Sequence, residues 1–307
     1  MTGERAGGSP GLYVKLILMA AMWGGLYSMG RILAPLLPPL TSGSLRFLIA
    51  AAVLVPLVIL REGRLPALDR RQFGAIVALA LTGVFLFNAC FFAGMERVSA
   101  SRAALIVALN PVATALAMWL IYGERLRALQ WLGIALALAG VAVVLSHGDL
   151  AALFAGAVSM GDLMIFGTVV SWSAYTIIGR RVMGRVSPLA MTAYSAAVGT
   201  PMLLAGALFE QPWSALASLP PRGWLAVAYA GIFATVLAFL FFNEGVRRIG
   251  PSRAAIFINL VPVFGVAIAA TLLGEQVLAS MVVGGAMALS GVMLANLAGA
   301  PRSAPGP

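Results

Sequence analysis

Apolar residues run along this chain in blocks of about twenty, each closed by a short polar interval, rather than in the single amphipathic pattern of a helix covering a water-soluble core. Ten blocks are long enough to cross a hydrocarbon layer of about 30 Å at about 1.5 Å per residue. They fall at 13–33, 41–60, 73–94, 101–121, 129–146, 160–180, 188–209, 223–243, 252–272 and 277–297. The pattern predicts an all-α membrane protein of ten transmembrane helices. In the first block Lys15 precedes an apolar run as in a signal peptide, but the block continues through Trp23 and Tyr27 to Arg31 with no small-x-small cleavage site. It is expected to be a retained helix. The segments 1–12 and 298–307 read as Gly/Pro/Ser-rich tails, and 147–159 as a connecting loop.

The blocks repeat. Aligning 94–141 with 245–292 without a gap gives 18 identities in 48 positions, among them Ser101/Ser252, Arg102/Arg253, Pro111/Pro262, Gly123/Gly274 and Glu124/Glu275. A slightly shorter shift pairs Trp23 with Trp172, Gly30 with Gly179, Arg31 with Arg180 and Pro39 with Pro188. Apolar composition alone does not reproduce such punctuation. The chain therefore divides into two five-helix units, 13–146 and 160–297. Five crossings is odd, so the second unit enters the membrane from the opposite side. The units are related by a pseudo-two-fold axis in the membrane plane, the inverted layout of secondary transporters, with a substrate site expected near the midplane.

Each copy of the SRAA stretch carries a proline nine residues on, roughly 13 Å into its helix. Proline has no N–H to donate, so the carbonyls of Val107 and Ile258 lose their helical partner at mid-depth. Such a break costs several kcal/mol, on the order of a lost buried hydrogen bond or more, unless protein, water or ligand meets it. A kink repaired by neighbours and a break that flanks a pathway both fit. Pro111, Pro262, Gly123 and Gly274 are the candidate points of bending.

Composition adds direction. Hydrophobic residues make up 61% and charged residues 10%, with a net charge of +10. The arginines lie between apolar blocks and not on a polar face interleaved with aromatics, so they read as topology signals and not as a nucleic-acid surface. With the amino terminus in the cytoplasm, 15 basic residues fall inside and five outside, the five being Arg31, Arg46, Arg97, Arg102 and Arg222. Both ends are then cytoplasmic. One cysteine, Cys90, and one histidine, His147, cannot build a disulfide framework or a Cys/His metal site in one chain.

The stretches GMERVSASRAALIVALNPV, YGERL and QWLGIALALAGV, with the second set GVRRIGPSRAAIFINLVPV, LGEQV and GGAMALSGV, resemble the EamA repeat of the drug/metabolite transporter superfamily. The resemblance covers 13–297. It implies two EamA-like repeats around a central cavity in a bacterial inner membrane, export of small metabolites without nucleotide, no cofactor, and a monomer as the functional unit. Within the superfamily the chain is similar to the bacterial aromatic amino-acid exporters.

Depth selects candidate substrate contacts. Trp23 and Trp172 sit roughly 15–18 Å inside their helices, with Tyr27 and Tyr175 about a turn further on. An indole N–H there lacks water unless a cavity supplies it. Asn110 and Asn259 lie beside the breaks, Ser171 beside Trp172, and Phe239 with Phe91, Phe92 and Phe242 offers an apolar wall. Core packing explains the aromatics as well, and buried amides also serve as interhelical glue. Asn88 and Asn243 lie nearer helix ends and rank lower.

No Asp or Glu is placed at mid-depth, which disfavours proton or sodium antiport and a strongly cationic cargo. A neutral or zwitterionic molecule with an apolar side chain, such as an aromatic amino acid, is the expected substrate, and the lipid bilayer the only other partner. Other small metabolites, drugs or a lipid remain as alternatives. The only lysine is Lys15, so no Walker A site exists, and neither H-E-x-x-H nor G-x-S-x-G occurs. An enzyme is not expected.

Overall fold

The computed structural model describes residues 10–149, 158–182 and 186–299; most of both tails, the centre of the connecting loop and Arg185 lie outside the described residues. Among the described residues ten helices have the length and apolarity to cross a membrane: α1 (Pro10–Leu33), α2 (Pro39–Glu62), α3 (Arg70–Met95), α4 (Ala100–Tyr122), α5 (Ala128–Leu145), α6 (Met160–Gly179), α7 (Pro188–Phe209), α8 (Pro221–Ile249), α9 (Arg253–Leu273) and α10 (Ala279–Asn296). The protein is a multi-pass membrane protein of two inverted five-helix repeats.

Local chemistry sets the helix ends. Ser99 accepts from the Arg102 N–H and Ser187 from the Ala190 N–H, while Asp69 and Gln72 form a reciprocal capping box. Proline opens α2, α7 and α8, where its missing N–H costs nothing. Gly123 and Gly274 end α4 and α9 with the same left-handed φ of 66°, a conformation that a side chain strains.

Packing obeys the pseudo-two-fold exchange of α1 with α6, α2 with α7, and so on. Helix α1 lies on α8 and α9; correspondingly α6 lies on α3 and α4. The self-related pairs α2·α7 and α5·α10 sit on the axis. The second of these is a seam of Gly133 and Gly140 against Gly284 and Gly291. A Cβ placed on Gly140 would lie 2.4 Å from the Ala288 nitrogen and 2.5 Å from the Gly284 oxygen, and one on Gly291 2.4 Å from the Ala137 nitrogen. Backbone therefore meets backbone, as small residues permit in a bilayer where apolar burial drives little association.

Two features interrupt helical regularity in mirrored places. Helix α4 is broken between Val107 and Asn110, and the stretch before α9's long segment tightens into a 3₁₀ turn at Phe257–Leu260. Helices α3 and α8 each loosen into π-helix, at Ala80–Leu86 and Tyr229–Leu237. The proline breaks were readable from sequence; the π segments were not, since no residue type demands them.

Candidate functional site

The interruptions converge on one cavity, where the empty space, its opening to solvent included, is about 840 Å³. Its wall includes Trp23 and Tyr27 from α1, Phe87 from α3, Asn110 and Pro111 from α4, Trp172 from α6, Phe239 from α8, and Asn259 and Pro262 from α9. Both halves thus contribute, and the wall is mostly aromatic and aliphatic.

Trp23 and Trp172 meet edge to face with centroids 6.3 Å apart, and Phe239 packs on both at 5.4 and 6.2 Å. Phe87 lies 5.8 Å from Trp172. The Trp23 indole N–H donates to the Ala234 carbonyl at 3.0 Å, inside the π segment of α8. That N–H is therefore satisfied by protein, contrary to the expectation that only a cavity could meet it. Asn110 Oδ1 is buried and has no hydrogen-bond partner among the described residues, beside the break at which its helix opens.

Two expected residues lie elsewhere. Tyr175 is buried and stacks on Trp172 at 5.3 Å, but it fills the space above Gly83, outside the cavity wall. Ser171 is buried in α6 and does not line the cavity either. Phe91 and Phe92 are fully packed. Gly123 and Gly274 cap helix ends at the surface, with nothing within 4 Å of an added Cβ.

One wall residue was misread from sequence. Arg46, counted among the outside arginines, is only 4% exposed and lines the cavity. It stands seven residues inside α2, roughly 10 Å along the helix. Its Nε donates to Thr235 Oγ1 at 2.9 Å and its Nη1 to Asn88 Oδ1 at 3.0 Å. Asn88 was ranked low as a helix-end residue; it is fully buried and anchors this guanidinium, while its own Nδ2 donates to the Val84 carbonyl. Thr235 in turn donates to the Ala230 carbonyl within the π segment, so the irregular helix presents the acceptor that orients Arg46. A basic residue flanked by serine, leucine and phenylalanine inside an apolar block was the available signal: a loop arginine does not sit seven residues into a helix.

The two ends of the bundle differ. On the face away from the termini, Glu275 accepts from the N–H groups of Ala100 and Ser101 and from the Ser101 hydroxyl at 2.7–2.9 Å, capping α4 from the opposite repeat. Arg102, also counted as an outside arginine, is buried there and holds Asp162 of α6 with two bonds of 2.7 and 2.9 Å, with His147 Nε2 2.9 Å from its Nη1. Asp162, placed near a helix end by sequence, is fully buried in this pair. On the termini face the repeats meet through Lys15 and Glu244 at 2.8 Å and through the Ser187 hydroxyl, which donates to Glu62, but the positions that mirror Glu275 and Arg102 are open. Glu124 is exposed and makes no hydrogen bond or ion pair among the described residues, and Arg253 and Ile256 are exposed where Arg102 and Leu105 are buried. The position that mirrors Asp162 is Tyr13. Glu210 likewise caps α2 on the far face, accepting from Leu40, Thr41 and the Thr41 hydroxyl.

Comparison with known proteins gives a consistent result. The model of the EamA-like transporter family matches residues 12–146 and 159–297, one match per repeat. The Bacillus subtilis (strain 168) protein named uncharacterized transporter YyaM is 32% identical over 285 residues, covering 93% of each chain. The Escherichia coli (strain K12) protein named uncharacterized inner membrane transporter YedA is 30% identical over 264 residues, 86% of this chain and 83% of the other. A crystal structure with 20% identity superposes with a TM-score of 0.66 over 94% of this chain and 98% of its own, a likeness of fold.

Proposed function

The chain belongs to the EamA-like transporter family, and from that premise we propose that it exports small amphipathic metabolites, aromatic or large aliphatic amino acids among them, by alternating access without nucleotide. The observation that carries the reading is an aromatic cavity between the halves, reached by both helix breaks, with a carboxylate cap and a buried ion pair joining the repeats on the far face whose mirror positions on the termini face make no such contact. A site between two inverted repeats, whose inter-repeat contacts differ between the two faces, fits alternating access. The breaks at Pro111 and Pro262 and the turns at Gly123 and Gly274 are where the halves bend as they rock, while the α5·α10 seam stays fixed.

The orientation follows from the arginines. With Arg46 and Arg102 buried, only Arg31, Arg97 and Arg222 of the original five remain as topology signals on the far face, which strengthens the assignment of the termini to the cytoplasm. On this reading the cavity loads from the cytoplasm, in the inner membrane where the relative YedA is placed by its name. Among the described residues no carboxylate lines the cavity, so flux needs no imposed proton or sodium gradient.

The test is efflux from proteoliposomes loaded with labelled phenylalanine, leucine, glutamate or lysine. Efflux of the first two above that from protein-free vesicles, without an ion gradient, is expected. Lipid scrambling with no amino-acid efflux, or uphill movement that strictly requires a pH gradient, refutes the reading.

A further inference from the structure

Resting on that reading, we propose that Arg46 is the site's anion receptor: the cargo is an amphipathic organic carboxylate whose carboxylate is required for binding and whose ammonium group, where it has one, is not. A buried cation inside a membrane costs several kcal/mol even after snorkelling, of the order of about 3 kcal/mol at a helix centre, and is retained where it serves a partner or a pathway. Arg46 has no carboxylate partner among the described residues: its two bonds go to the neutral oxygens of Thr235 and Asn88. Those bonds use Nε and Nη1. They fix the guanidinium plane and leave Nη2 without a hydrogen-bond partner among the described residues, on a side chain that lines the cavity. A planar fork held on two neutral acceptors is oriented but not neutralised, the state in which it takes up an incoming carboxylate most strongly.

Among the described residues no carboxylate in the wall answers a cation, which would meet only neutral acceptors such as Asn110 Oδ1 and aromatic faces. The cavity wall carries no Asp or Glu, and its other polar side chains are the amides Asn110 and Asn259 and the Tyr27 hydroxyl. Nor does the second repeat answer Arg46 with an acid or a second base: the position that mirrors it is Ser195, which donates to the Met191 carbonyl within its own helix. The site therefore offers one positive charge, a few neutral polar groups and aromatic faces. An aryl- or alkyl-carboxylate, a 2-oxo acid or a zwitterionic amino acid satisfies it, and an amine without a carboxylate meets repulsion.

Three matched probes separate head group from body: phenylalanine, 3-phenylpropionate, which lacks the ammonium, and phenethylamine, which lacks the carboxylate. Binding to the purified protein is read by quenching of tryptophan fluorescence, since Trp23 and Trp172 line the cavity. In the wild type, 3-phenylpropionate is expected to bind at least as tightly as phenylalanine, and phenethylamine at least about tenfold more weakly. Arg46→Gln lowers affinity for both carboxylates by about ten- to a hundredfold and leaves phenethylamine unchanged or improved, while Arg46→Lys, which keeps the charge but not the fork, loses less carboxylate affinity than Arg46→Gln. Phenethylamine binding as tightly as the carboxylates in the wild type overturns the proposal without any variant, which covers the case in which Arg46→Gln does not fold. Unchanged carboxylate affinity in folded Arg46→Gln also overturns it, assigning Arg46 to helix packing alone. If none of the three binds to folded wild-type protein, the amphipathic-metabolite reading itself falls, and this inference with it.

Discussion

Removing the Glu275 carboxylate should open the far face. Glu275 satisfies two of the four N–H groups that α4 leaves unpaired at its start and also the Ser101 hydroxyl, at 2.8, 2.9 and 2.7 Å. Hydrogen bonds to a charged acceptor contribute about 1.5–3 kcal/mol each, and a negative charge at a helix start adds about 0.3–1 kcal/mol. Water replaces part of this once the mouth opens, so Glu275→Ala should take about 2–3 kcal/mol from the far-closed state. The far-open state does not hold the contact and loses nothing. The closed-to-open ratio then falls by roughly 30- to 150-fold. Spin labels on Arg97→Cys and Val277→Cys, both exposed beside the contact, report the distance across this mouth in a Cys90→Ala background. A longer distance should gain population in Glu275→Ala and to a lesser degree in Glu275→Gln, which keeps an acceptor but loses the charge. Glu124→Ala, lacking this contact in the far-closed state, should not lengthen it. Identical distance distributions in wild type and Glu275→Ala would refute the latch.

In the same assay, Pro262→Ala should shift the balance between the two mouths by restoring helical bonding at the break; unchanged populations would remove it as a hinge. Gly140→Ala should lower the melting temperature, because its Cβ meets backbone at 2.4 and 2.5 Å and overpacking of this kind costs about 1–3 kcal/mol. Gly74→Ala, with open space around it in a helix, should be neutral or slightly stabilising. Trp172→Ala, which removes ring contacts to Trp23, Phe87 and Phe239, should cut efflux about tenfold or more while Trp172→Phe keeps most of it, and Phe239→Ala should cost less; equal losses in thermal stability and efflux would place these rings in the core. Because Arg46 returns with every cycle, net charge movement equals that of the cargo, so a potential negative inside the vesicle should speed carboxylate efflux, by about 2.3 kcal/mol of drive per 100 mV, and leave phenylalanine efflux unaffected.

Ten helices, their repeat and their inversion were legible because they rest on block length and punctuation, which bilayer thickness and proline chemistry impose directly. The aromatic pair was legible for the same reason: depth in a helix can be counted in residues. Arg46 was misplaced because a count of basic residues treats each as a loop residue, although position 46 lies well inside an apolar block. Asn88 and Thr235, which orient it, had no signal of their own, since the π segments that bring them together are a tertiary outcome with no residue signature. Tyr175 and Ser171 show the limit of helical periodicity. It selects a face, but a neighbouring glycine decides which side chain fills the space there, and Gly83 admits the Tyr175 ring.

The repeats agree in scaffold and differ in chemistry, and that difference has a consequence for the cycle. Breaks, π segments, glycine seam and αL caps recur in both halves, whereas Arg46 is mirrored by Ser195 and the Arg102–Asp162 pair by Arg253 and Tyr13. A symmetric scaffold alone would give two end states of similar energy. The buried Arg102–Asp162 pair, bonded twice and closed over by His147, belongs to one of them only, and breaking it exposes two charges. On the proposed alternating-access reading, the far-closed state is expected to be the resting one. A cargo can shift that balance only by the difference in its affinity for the two states. Arg46 hangs between α2, α3 and α8, the elements that hold Thr235 and Asn88, so a carboxylate bound there acts on helices of both repeats at once. The charge of Arg46, which no carboxylate in the cavity wall neutralises, thus sits where cargo binding can be turned into movement of one half against the other.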